Sequence, residues 1–205
     1  MTDKTTTKTK TSKPRRTRSP EIRRAALMDS AEHLFLTKGV AATSVEDITQ
    51  GAQVAKGTFY LYFGSRDAML SALQERFILG FCKRVEQGLA ACESDNWNQR
   101  LYTWFLTAVS ELITQVMLHD VLFHDTKAAE GRQLVSDNPV IEQLVALLEA
   151  GQDAQAWQVN NPKALAIMMF HSMHGIADEA IALGNTVDQE ALAAVLTHTF
   201  SKVLV

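Results

Sequence analysis

The segment KGTFYLYF, residues 56–63, carries side chains suited to contact with a polyanion. Lys56 can meet a phosphate or a guanine edge, and Gly57 lets the backbone come close to a duplex. Three hydroxyl groups can donate hydrogen bonds to phosphates, those of Thr58, Tyr60 and Tyr62. In a helix of this sequence the two phenylalanines lie four residues apart and can pack inward, which leaves the polar side chains for other faces. The residue chemistry therefore suits DNA.

The helices around this segment have the lengths of a helix-turn-helix. Residues 44–51 predict a short helix, a brief turn follows, and Ala55 to Phe63 predict a second helix. Two short helices joined by a three- or four-residue turn, with a preceding helix to support them, place the second helix in the major groove of DNA. The alternative is that the aromatic residues of the second helix only fill a core.

Local start and stop signals predict the bounds of the neighbouring helices. Ser19, followed by a proline, has the form of an N-cap, and Gly39 predicts the end of helix one at about residue 38. Thr43 and Glu46 have the spacing of a capping box, which predicts the start of helix two. Ser65 then caps a long helix that continues to about residue 90.

A basic N-terminal part precedes an acidic remainder. Residues 1–66 hold 12 Lys and Arg against 6 Asp and Glu, a balance of +6, whereas residues 67–205 hold 8 against 17, a balance of −9. Clustered positive charge favours polyanions because each neutralised phosphate releases counterions. Within residues 1–19, which we predict to be a disordered basic arm, three arginines can enter a minor groove or follow phosphates: Arg15, Arg16 and Arg18. A solvated tail without a DNA role is the alternative.

A family resemblance is carried by Leu27 to Phe35, by Gly39 and by the run TSVEDITQGAQVAKGTFYLYFGSRDAML. These residues look like the N-terminal domain of TetR/AcrR-family transcriptional regulators, and the resemblance covers about residues 21–70. In that family the segment corresponding to KGTFYLYF is the recognition helix, so the resemblance gives DNA-contact roles to Lys56, Gly57, Thr58, Tyr60 and Tyr62. It also implies that Thr43 and Arg66, at the starts of helices two and four, hold phosphates, a task that suits helix N-termini.

Two positions in the predicted turn depart from the usual pattern of this family, which prefers Gly where Gln53 stands and Ser or Thr where Ala55 stands. Without Gly, the turn must hold another side chain in a conformation that Gly adopts at low cost. Without Ser or Thr, the recognition helix lacks an N-cap worth about 0.5–2 kcal/mol. The departures concern the rigidity of this helix and its phosphate contacts rather than the domain.

The rest of the chain predicts further helices and no strand of useful length. Apolar residues follow helical spacing from residue 97 to about 123 and from 140 to 148. Asn161-Pro162 opens a helix that ends near Gly184. A final helix follows a capping-box candidate at Thr186 and Gln189. We therefore predict an all-α protein of about nine helices. It has three parts: a disordered basic arm (1–19), a helix-turn-helix DNA-binding domain (20–66) and, as the resemblance implies, a helical effector-binding and dimerisation domain (67–205).

Candidate ligand contacts lie in the C-terminal part. Pockets between helices are lined by aromatic residues, methionines and a few polar groups. The candidates of this kind are Trp104, Phe105, Met117, Phe123, His124, Met168 and His171. The same residue types fill protein cores, and that alternative stays open for each of them.

The histidines also raise the question of a metal ion. His171 and His174 lie three residues apart on one predicted helix, with Asp178 one turn further, and two imidazoles at that spacing can face one centre. His119 and His124 lie near another helix end. Since a third ligand cannot be assigned from the sequence, we predict no metal and no cofactor. We expect one or two of these histidines to donate hydrogen bonds to a mostly apolar effector.

These features together predict a homodimeric repressor. The resemblance implies that the last two helices, which are rich in alanine, form a symmetric four-helix interface, although packing within one chain would use them equally well. A dimer docks two recognition helices into successive major grooves, so we expect a roughly palindromic operator in double-stranded DNA that is released when a small effector binds.

Two alternatives to this function stay open. The first is a DNA-binding activator, or a repressor that has no effector. The second is a helical enzyme or ligand carrier. Because the sequence shows no nucleophile–base pair, metal triad or phosphate-binding glycine loop, we expect no enzyme activity.

Composition excludes several other classes of protein. Hydrophobic residues make up 46% and charged residues 21%, near the averages for soluble globular chains. The longest strongly apolar stretch, residues 164–170, is far shorter than the ~20 residues that span a bilayer, and the N-terminus lacks the apolar region of a signal peptide. We therefore expect a cytoplasmic protein without membrane contact. Two cysteines, Cys82 and Cys92, are too few for a disulfide framework.

Overall fold

The computed structural model describes residues 19–124, 138–184 and 187–204, which form nine helices and no strand. The helices are α1 (Pro20–Lys38), α2 (Val45–Gly51), α3 (Lys56–Tyr62), α4 (Arg66–Ala90), α5 (Trp97–Thr114), α6 (Val116–Phe123), α7 (Pro139–Asp153), α8 (Pro162–Ala182) and α9 (Gln189–Ser201). This confirms the predicted all-α class. Among these helices none alone is long and apolar enough to cross a membrane, and only the bent pair α5–α6 passes that test of length and composition when joined.

The N-terminal helices begin and end at the residues that carry the local signals. The Ser19 hydroxyl accepts a hydrogen bond from the N–H of Ile22 at 3.3 Å. Gly39 ends α1 with a φ of 80°, and its N–H donates to the carbonyl of Phe35. Ser65 caps α4 as Ser19 caps α1. The predicted bounds of both helices are confirmed.

The capping box of α2 starts one residue later than the sequence analysis predicted. Ser44 is the N-cap: its hydroxyl accepts from the N–H of Asp47, and the Asp47 carboxylate accepts from the N–H of Ser44. The predicted box of Thr43 and Glu46 is therefore wrong. The reason is that Thr43 is only 1% exposed and its hydroxyl donates to the Gly39 carbonyl at 2.8 Å, so it is turned back toward the end of α1.

Helices α1 to α3 and the first turns of α4 share one hydrophobic core. Its largest fully buried side chains are Leu27, Phe35, Ile48, Phe59, Met69 and Leu73. At the edge of this N-terminal core, Arg76 of α4 pairs with Asp29 and Glu32 of α1 at 2.7 and 2.6 Å. The core therefore extends beyond the predicted domain boundary at residue 66 and ties α4 to α1.

A second core is built around α5, which packs against α4, α8 and α9, and α7 joins it by packing on α4 and α8. Trp104 and Phe105 lie fully buried within it, and the Phe105 ring stacks on Phe200 of α9 with centroids 5.8 Å apart. The Ser110 hydroxyl donates to the side-chain oxygen of Gln189 at 2.7 Å, which fixes the start of α9 against α5. The C-terminal helices thus form one packed unit.

A bend at Gln115 divides the stretch that apolar spacing predicted as helical from residue 97 to 123. Helices α5 and α6 meet there at 78°. The bend turns α6 toward the N-terminal core, where Leu122 is 1% exposed and Leu118 packs nearby. Neither proline nor glycine marks the bend, so the hydrophobic period gave no sign of it.

Asparagine and aspartate cap the three C-terminal helices. Asn138, Asn161 and Asp188 each accept from a backbone N–H two or three residues further on. The predicted start at Asn161-Pro162 is confirmed. In the second capping-box candidate, Thr186 lies outside the described residues, and Gln189 is the first residue of α9 rather than a partner in its cap.

Candidate nucleic-acid interface and ligand cavity

Helix α3 packs its phenylalanines inward and turns its polar residues outward. Phe59 and Phe63 are buried, with ring centroids 5.6 Å apart. The five predicted DNA contacts lie outside this pair: Lys56, Gly57 and Tyr60 are exposed, and Thr58 and Tyr62 are half-buried. Tyr60 keeps 52% of its surface exposed, enough to contact a partner without any change of the domain. The inward packing predicted for the two phenylalanines is confirmed, and DNA contact by the five other residues stays a prediction.

An ion pair within the domain holds Lys56. Its ammonium group donates to the carboxylate of Glu46 on α2. This hydrogen bond raises the pKa of Lys56 and lowers the pKa of Glu46, so both groups are charged at neutral pH. Because exposed ion pairs contribute little to stability, a phosphate group can replace Glu46 as the partner of Lys56 at small cost.

The turn before α3 shows both consequences of its unusual residues. Gln53 has a φ of 56°, in the left-handed region that Gly adopts without strain. Ala55 stands at the N-cap of α3 and provides no side-chain hydrogen bond. Both sequence predictions about the turn are confirmed, and α3 is left less firmly anchored than a helix with a Ser or Thr cap.

The side chains of Thr43 and Arg66 both donate hydrogen bonds to backbone carbonyl groups between the end of α1 and the start of α2. One guanidinium nitrogen of Arg66 donates to the carbonyl groups of Ala41 and Thr43 at 3.1 and 3.0 Å. Arg66 thereby holds the segment that leads into α2, and the buried Thr43 hydroxyl is bonded to Gly39. Phosphate contact by these two residues stays a prediction. Arg15, Arg16 and Arg18 lie outside the described residues.

A cavity of about 340 Å³ opens between α4, α5, α6, α7 and α8. Its apolar walls include Phe77, Ile78, Phe81, Leu112, Phe123, Phe170 and Met173. Its polar groups are His119, His124, Asn138, His171, His174 and Asp178. A largely apolar space with several polar groups has the composition of a small-molecule site.

Three of the seven predicted ligand contacts line this cavity, namely Phe123, His124 and His171. The structure places the other four elsewhere. Trp104 and Phe105 are 0% exposed in the C-terminal core and do not line the cavity. Met117 and Met168 are 68% and 54% exposed at the surface. Residue type could not separate these four from the residues of the cavity wall, since the same residue types also fill protein cores.

Several residues of the cavity wall were missed in the sequence. Phe77, Ile78 and Phe81 come from α4, which the sequence analysis described only as a long helix capped by Ser65. The spacing of Phe77 and Phe81 at i and i+4 was the available signal. His119 and His174 were recognised as polar candidates, but only the fold shows that they lie on the same cavity as His124.

Two cavity histidines are held in low-polarity surroundings. Burial is the largest cause that lowers the pKa values of His119 and His174 below the ordinary range for histidine. The Nδ1 atom of His174 lies 3.1 Å from the carbonyl oxygen of Phe170. Since a carbonyl only accepts, Nδ1 carries the proton and Nε2 has a free lone pair. Both rings are therefore neutral at physiological pH and can each donate and accept one hydrogen bond.

The candidate metal ligands are grouped differently from the sequence interpretation. His171, His174 and Asp178 do not form a compact ligand group among the described residues. His119, Asp120 and His124 do: one ligand atom from each lies within 4.8 Å of the others.

The outer faces of α8 and α9 expose small and apolar residues. Ala164 and Met168 are exposed on α8, and Ala191, Ala194 and Val195 are exposed on α9. Val195 keeps 53% of its surface accessible. Exposed small residues allow another helix to approach closely, so these faces are suited to helix–helix association.

Comparison with known sequences identifies the N-terminal part. The model of the family described as "Bacterial regulatory proteins, tetR family" matches residues 27–73. The HTH-type transcriptional regulator EthR of Mycolicibacterium smegmatis is 37% identical over 86 residues, which are 41% of this chain and 38% of that protein. The chain thus spans well under two thirds of this curated relative, and the similarity is centred on the helix-turn-helix.

Solved structures with the same fold cover nearly the whole chain. A protein of unknown function from Rhodococcus sp. RHA1 has a TM-score of 0.74 and 22% identity and covers 93% of this chain and 97% of its own. The regulator FadR of Bacillus subtilis, solved in complex with stearoyl-CoA, has a TM-score of 0.69 and 20% identity and covers 85% and 95%. At these identities the likeness concerns the fold.

Proposed function

The chain belongs to the tetR family of bacterial regulatory proteins through residues 27–73, and on this premise we propose that it is a homodimeric transcriptional repressor. It binds a palindromic operator and releases it when a small, mostly apolar effector occupies the cavity. A cytoplasmic location follows from this DNA target. The observation that carries the proposal is that α4 belongs to both sites: Met69 and Leu73 lie in the N-terminal core, and Phe77 and Phe81 line the cavity.

In this proposal α3 is the recognition helix. Lys56 and Tyr60, which are exposed, contact phosphates or base edges. Gly57, Thr58 and Tyr62 contribute further contacts to the same DNA. Arg66 and Thr43 act near the phosphates at the starts of α4 and α2, and Arg15, Arg16 and Arg18 reach the minor groove. In a dimer the two α3 helices enter successive major grooves about 34–36 Å apart, which requires an operator of matching symmetry.

The effector class follows from the walls of the cavity. A volume of about 340 Å³ lies in the range of small-molecule sites, and most of the lining is aromatic or aliphatic. The neutral rings of His119 and His174 and the exposed His171 offer hydrogen bonds to one polar end of a ligand. The open cavity also supports an effector-controlled regulator over the alternative without an effector.

Helices α4 and α6 connect the cavity to the DNA-binding part. On α6, His119 and Phe123 face the cavity while Leu122 is buried in the N-terminal core. An effector that fits better when α4 and α6 are displaced selects a state in which the two α3 helices no longer match successive grooves. The loss of DNA affinity equals the difference between the effector's affinities for the two states.

The two-fold interface is formed by α8 and α9 of each subunit. Their exposed alanines, with Met168 and Val195, provide apolar surface for such a contact. Two such faces related by a two-fold axis make a four-helix contact. A dimer of this kind does not use α3, so the exposed residues of that helix remain available to bind DNA.

The test is selection of bound duplexes from a random DNA pool, with and without a cell extract as a source of effectors. We expect enrichment of a palindromic site that the extract releases. The His171→Ala variant should bind the same site but respond less to the extract, whereas the control His33→Ala, on the exposed side of α1, should respond as the wild type does. An enriched site that no extract releases would contradict the effector, and absence of any enriched site would contradict DNA binding.

A further inference from the structure

The last turn of α6 gathers three metal-binding side chains at the cavity. His119 and Asp120 are neighbours in sequence, and His124 follows at the C-cap of α6. One ligand atom from each residue lies within 4.8 Å of the others. The carboxylate oxygen of Asp120 is 3.5 Å from Nδ1 of His119 and 3.4 Å from Nδ1 of His124. The single carboxylate thus lies between two imidazole nitrogens.

These separations match the edges of a tetrahedral zinc site. Nitrogen and oxygen ligands lie about 2.0–2.2 Å from Zn²⁺, which puts two ligands of a tetrahedron about 3.3–3.6 Å apart. Both nitrogen–oxygen distances fall in this range, and both exceed the 2.7–3.2 Å of an ordinary N–H···O hydrogen bond. The two nitrogen–oxygen separations therefore match those between ligands of one metal ion.

Neighbouring side chains fix the buried half of the group. The His119 ring packs against Phe77 and Phe123, with centroids 6.0 and 5.2 Å away. The ring of His174, on α8, lies 5.7 Å from that of His119. These aromatic neighbours hold the His119 ring in place beside the cavity.

The other half of the group is open to solvent. Asp120 and His124 are exposed, so an ion can reach the three side chains without unfolding the helix. His119 and His124 also line the cavity, so a fourth coordination position is available to water or to the polar end of a cavity ligand.

We propose that His119, Asp120 and His124 form a binding site for a borderline divalent transition metal ion such as Zn²⁺. Two imidazoles and one carboxylate suit ions of this kind, whereas Mg²⁺ and Ca²⁺ take oxygen ligands. Three protein ligands leave one position open, so the ion is exchangeable and can take part in ligand binding. The site is separate from the DNA-binding proposal, since its three ligands lie on α6 and at its C-cap and none of them is a predicted DNA contact.

The experiment measures metal binding without DNA, on the full chain with any affinity tag removed. Zn²⁺ affinity is obtained by competition with a chromophoric chelator, and Co²⁺ is used as a second probe because four-coordinate Co²⁺ gives intense visible absorption. We expect one equivalent of either ion per chain. His124→Gln and Asp120→Asn should each weaken the affinity by about tenfold or more, as removal of a ligand has a larger effect than removal of an outer-shell partner.

Two exposed histidines provide matched controls. His33→Gln on α1 and His198→Gln on α9 lie outside the group and should leave the affinity unchanged. Because Asp120 and His124 are exposed, their variants are expected to keep the wild-type circular dichroism, which excludes misfolding as the cause. The proposal is overturned if the wild type binds no stoichiometric Zn²⁺, or if the Asp120 and His124 variants bind it as tightly as the two controls.

Discussion

The side-chain nitrogen of Gln74 on α4 donates to the backbone carbonyl of Leu122 on α6 at 2.7 Å. Gln74 stands between Leu73, in the N-terminal core, and Phe77, on the cavity wall. Leu122 is buried in the N-terminal core, and the next residue, Phe123, lines the cavity. The bond therefore joins the two helices at the point where the DNA-binding part meets the cavity.

Replacing Gln74 by Met removes this donor and keeps the length of the side chain. We expect a loss of about 0.5–1.5 kcal/mol in the free energy of unfolding, the usual contribution of one hydrogen bond. DNA affinity should fall as well. When α4 is held less firmly, the two DNA-binding parts of the dimer are more mobile, and aligning them on the operator costs more entropy. Urea denaturation and fluorescence anisotropy with a labelled operator measure the two effects.

Gln143→Met is the matched control for this variant. Gln143 of α7 makes the same kind of bond, to the carbonyl of Cys82 in the C-terminal core at 2.9 Å. It should keep its DNA affinity and lose less stability, because the buried Oε1 of Gln143 has no partner and its desolvation cost is removed with it. Equal loss of DNA affinity in the two variants would show that Gln74 acts through overall stability alone.

Ala55→Ser supplies the missing N-cap of α3. Because Ala55 already has the extended backbone of an N-cap, with φ −70° and ψ 148°, a serine hydroxyl can accept from the second or third N–H of the helix. We expect the free energy of unfolding to rise by about 0.5–2 kcal/mol, with thermal denaturation as the measurement. Ala55→Val, which cannot cap, should give no gain. A serine variant no more stable than the valine variant would contradict a vacant cap.

The N-terminal elements could be predicted closely because each carries its own local signal. Ser19 and Gly39 mark the two ends of α1, and Ser65 marks the start of α4. Gln53 and Ala55 even showed where the turn is strained and uncapped. The capping box failed by one residue because Thr43 and Ser44 both fit the pattern, and only packing against the end of α1 shows which one is buried.

The cavity could not be predicted to the same degree because its walls depend on contacts between distant helices. Trp104 and Phe123 are equally plausible lining residues by type, yet one is in the core and the other at the cavity. The bend at Gln115 brings α6 to the cavity, since it turns this helix across α4 and places His119 beside His174. No proline, glycine or change of period announces that bend.

Val195→Glu tests the proposed dimer face. A glutamate at this exposed position of α9 would be buried without a partner in a two-fold contact, a cost of several kcal/mol at each of two symmetric sites. We expect a monomer in sedimentation velocity and a weaker affinity for the operator. Leu79→Glu, at a similarly exposed position of α4, is the control and should stay dimeric. A Val195→Glu dimer as stable as the control would place the interface elsewhere.

Stability should fall at mildly acidic pH because of the buried cavity histidines. Burial lowers the pKa values of His119 and His174. The hydrogen bonds of His119 to Asp120 and of His174 to the Phe170 carbonyl, and the charge of Asp178, only partly oppose this. The two histidines are therefore protonated more easily in the unfolded chain than in the folded one. The free energy of unfolding keeps its full value above about pH 6.5 and decreases below it. Each group contributes at most about 1.4 kcal/mol per pH unit.

Urea denaturation between neutral pH and about pH 5, with EDTA present to remove metal ions, measures this dependence. His174→Gln should flatten the curve, whereas His33→Gln leaves both buried rings in place and should follow the wild type. The interpretation is wrong if His174→Gln keeps the full wild-type slope.

The most direct test of the account is the operator affinity of Lys56→Ala and Tyr60→Ala, measured by fluorescence anisotropy over a range of salt concentrations. We expect each variant to lose about 1–3 kcal/mol of binding free energy. Lys56→Ala should also lower the slope of log affinity against log salt concentration by about one, because its ammonium group no longer neutralises a phosphate. Lys202→Ala, exposed just beyond α9, should bind as the wild type does. Unchanged affinity in both α3 variants would contradict the claim that this helix recognises DNA.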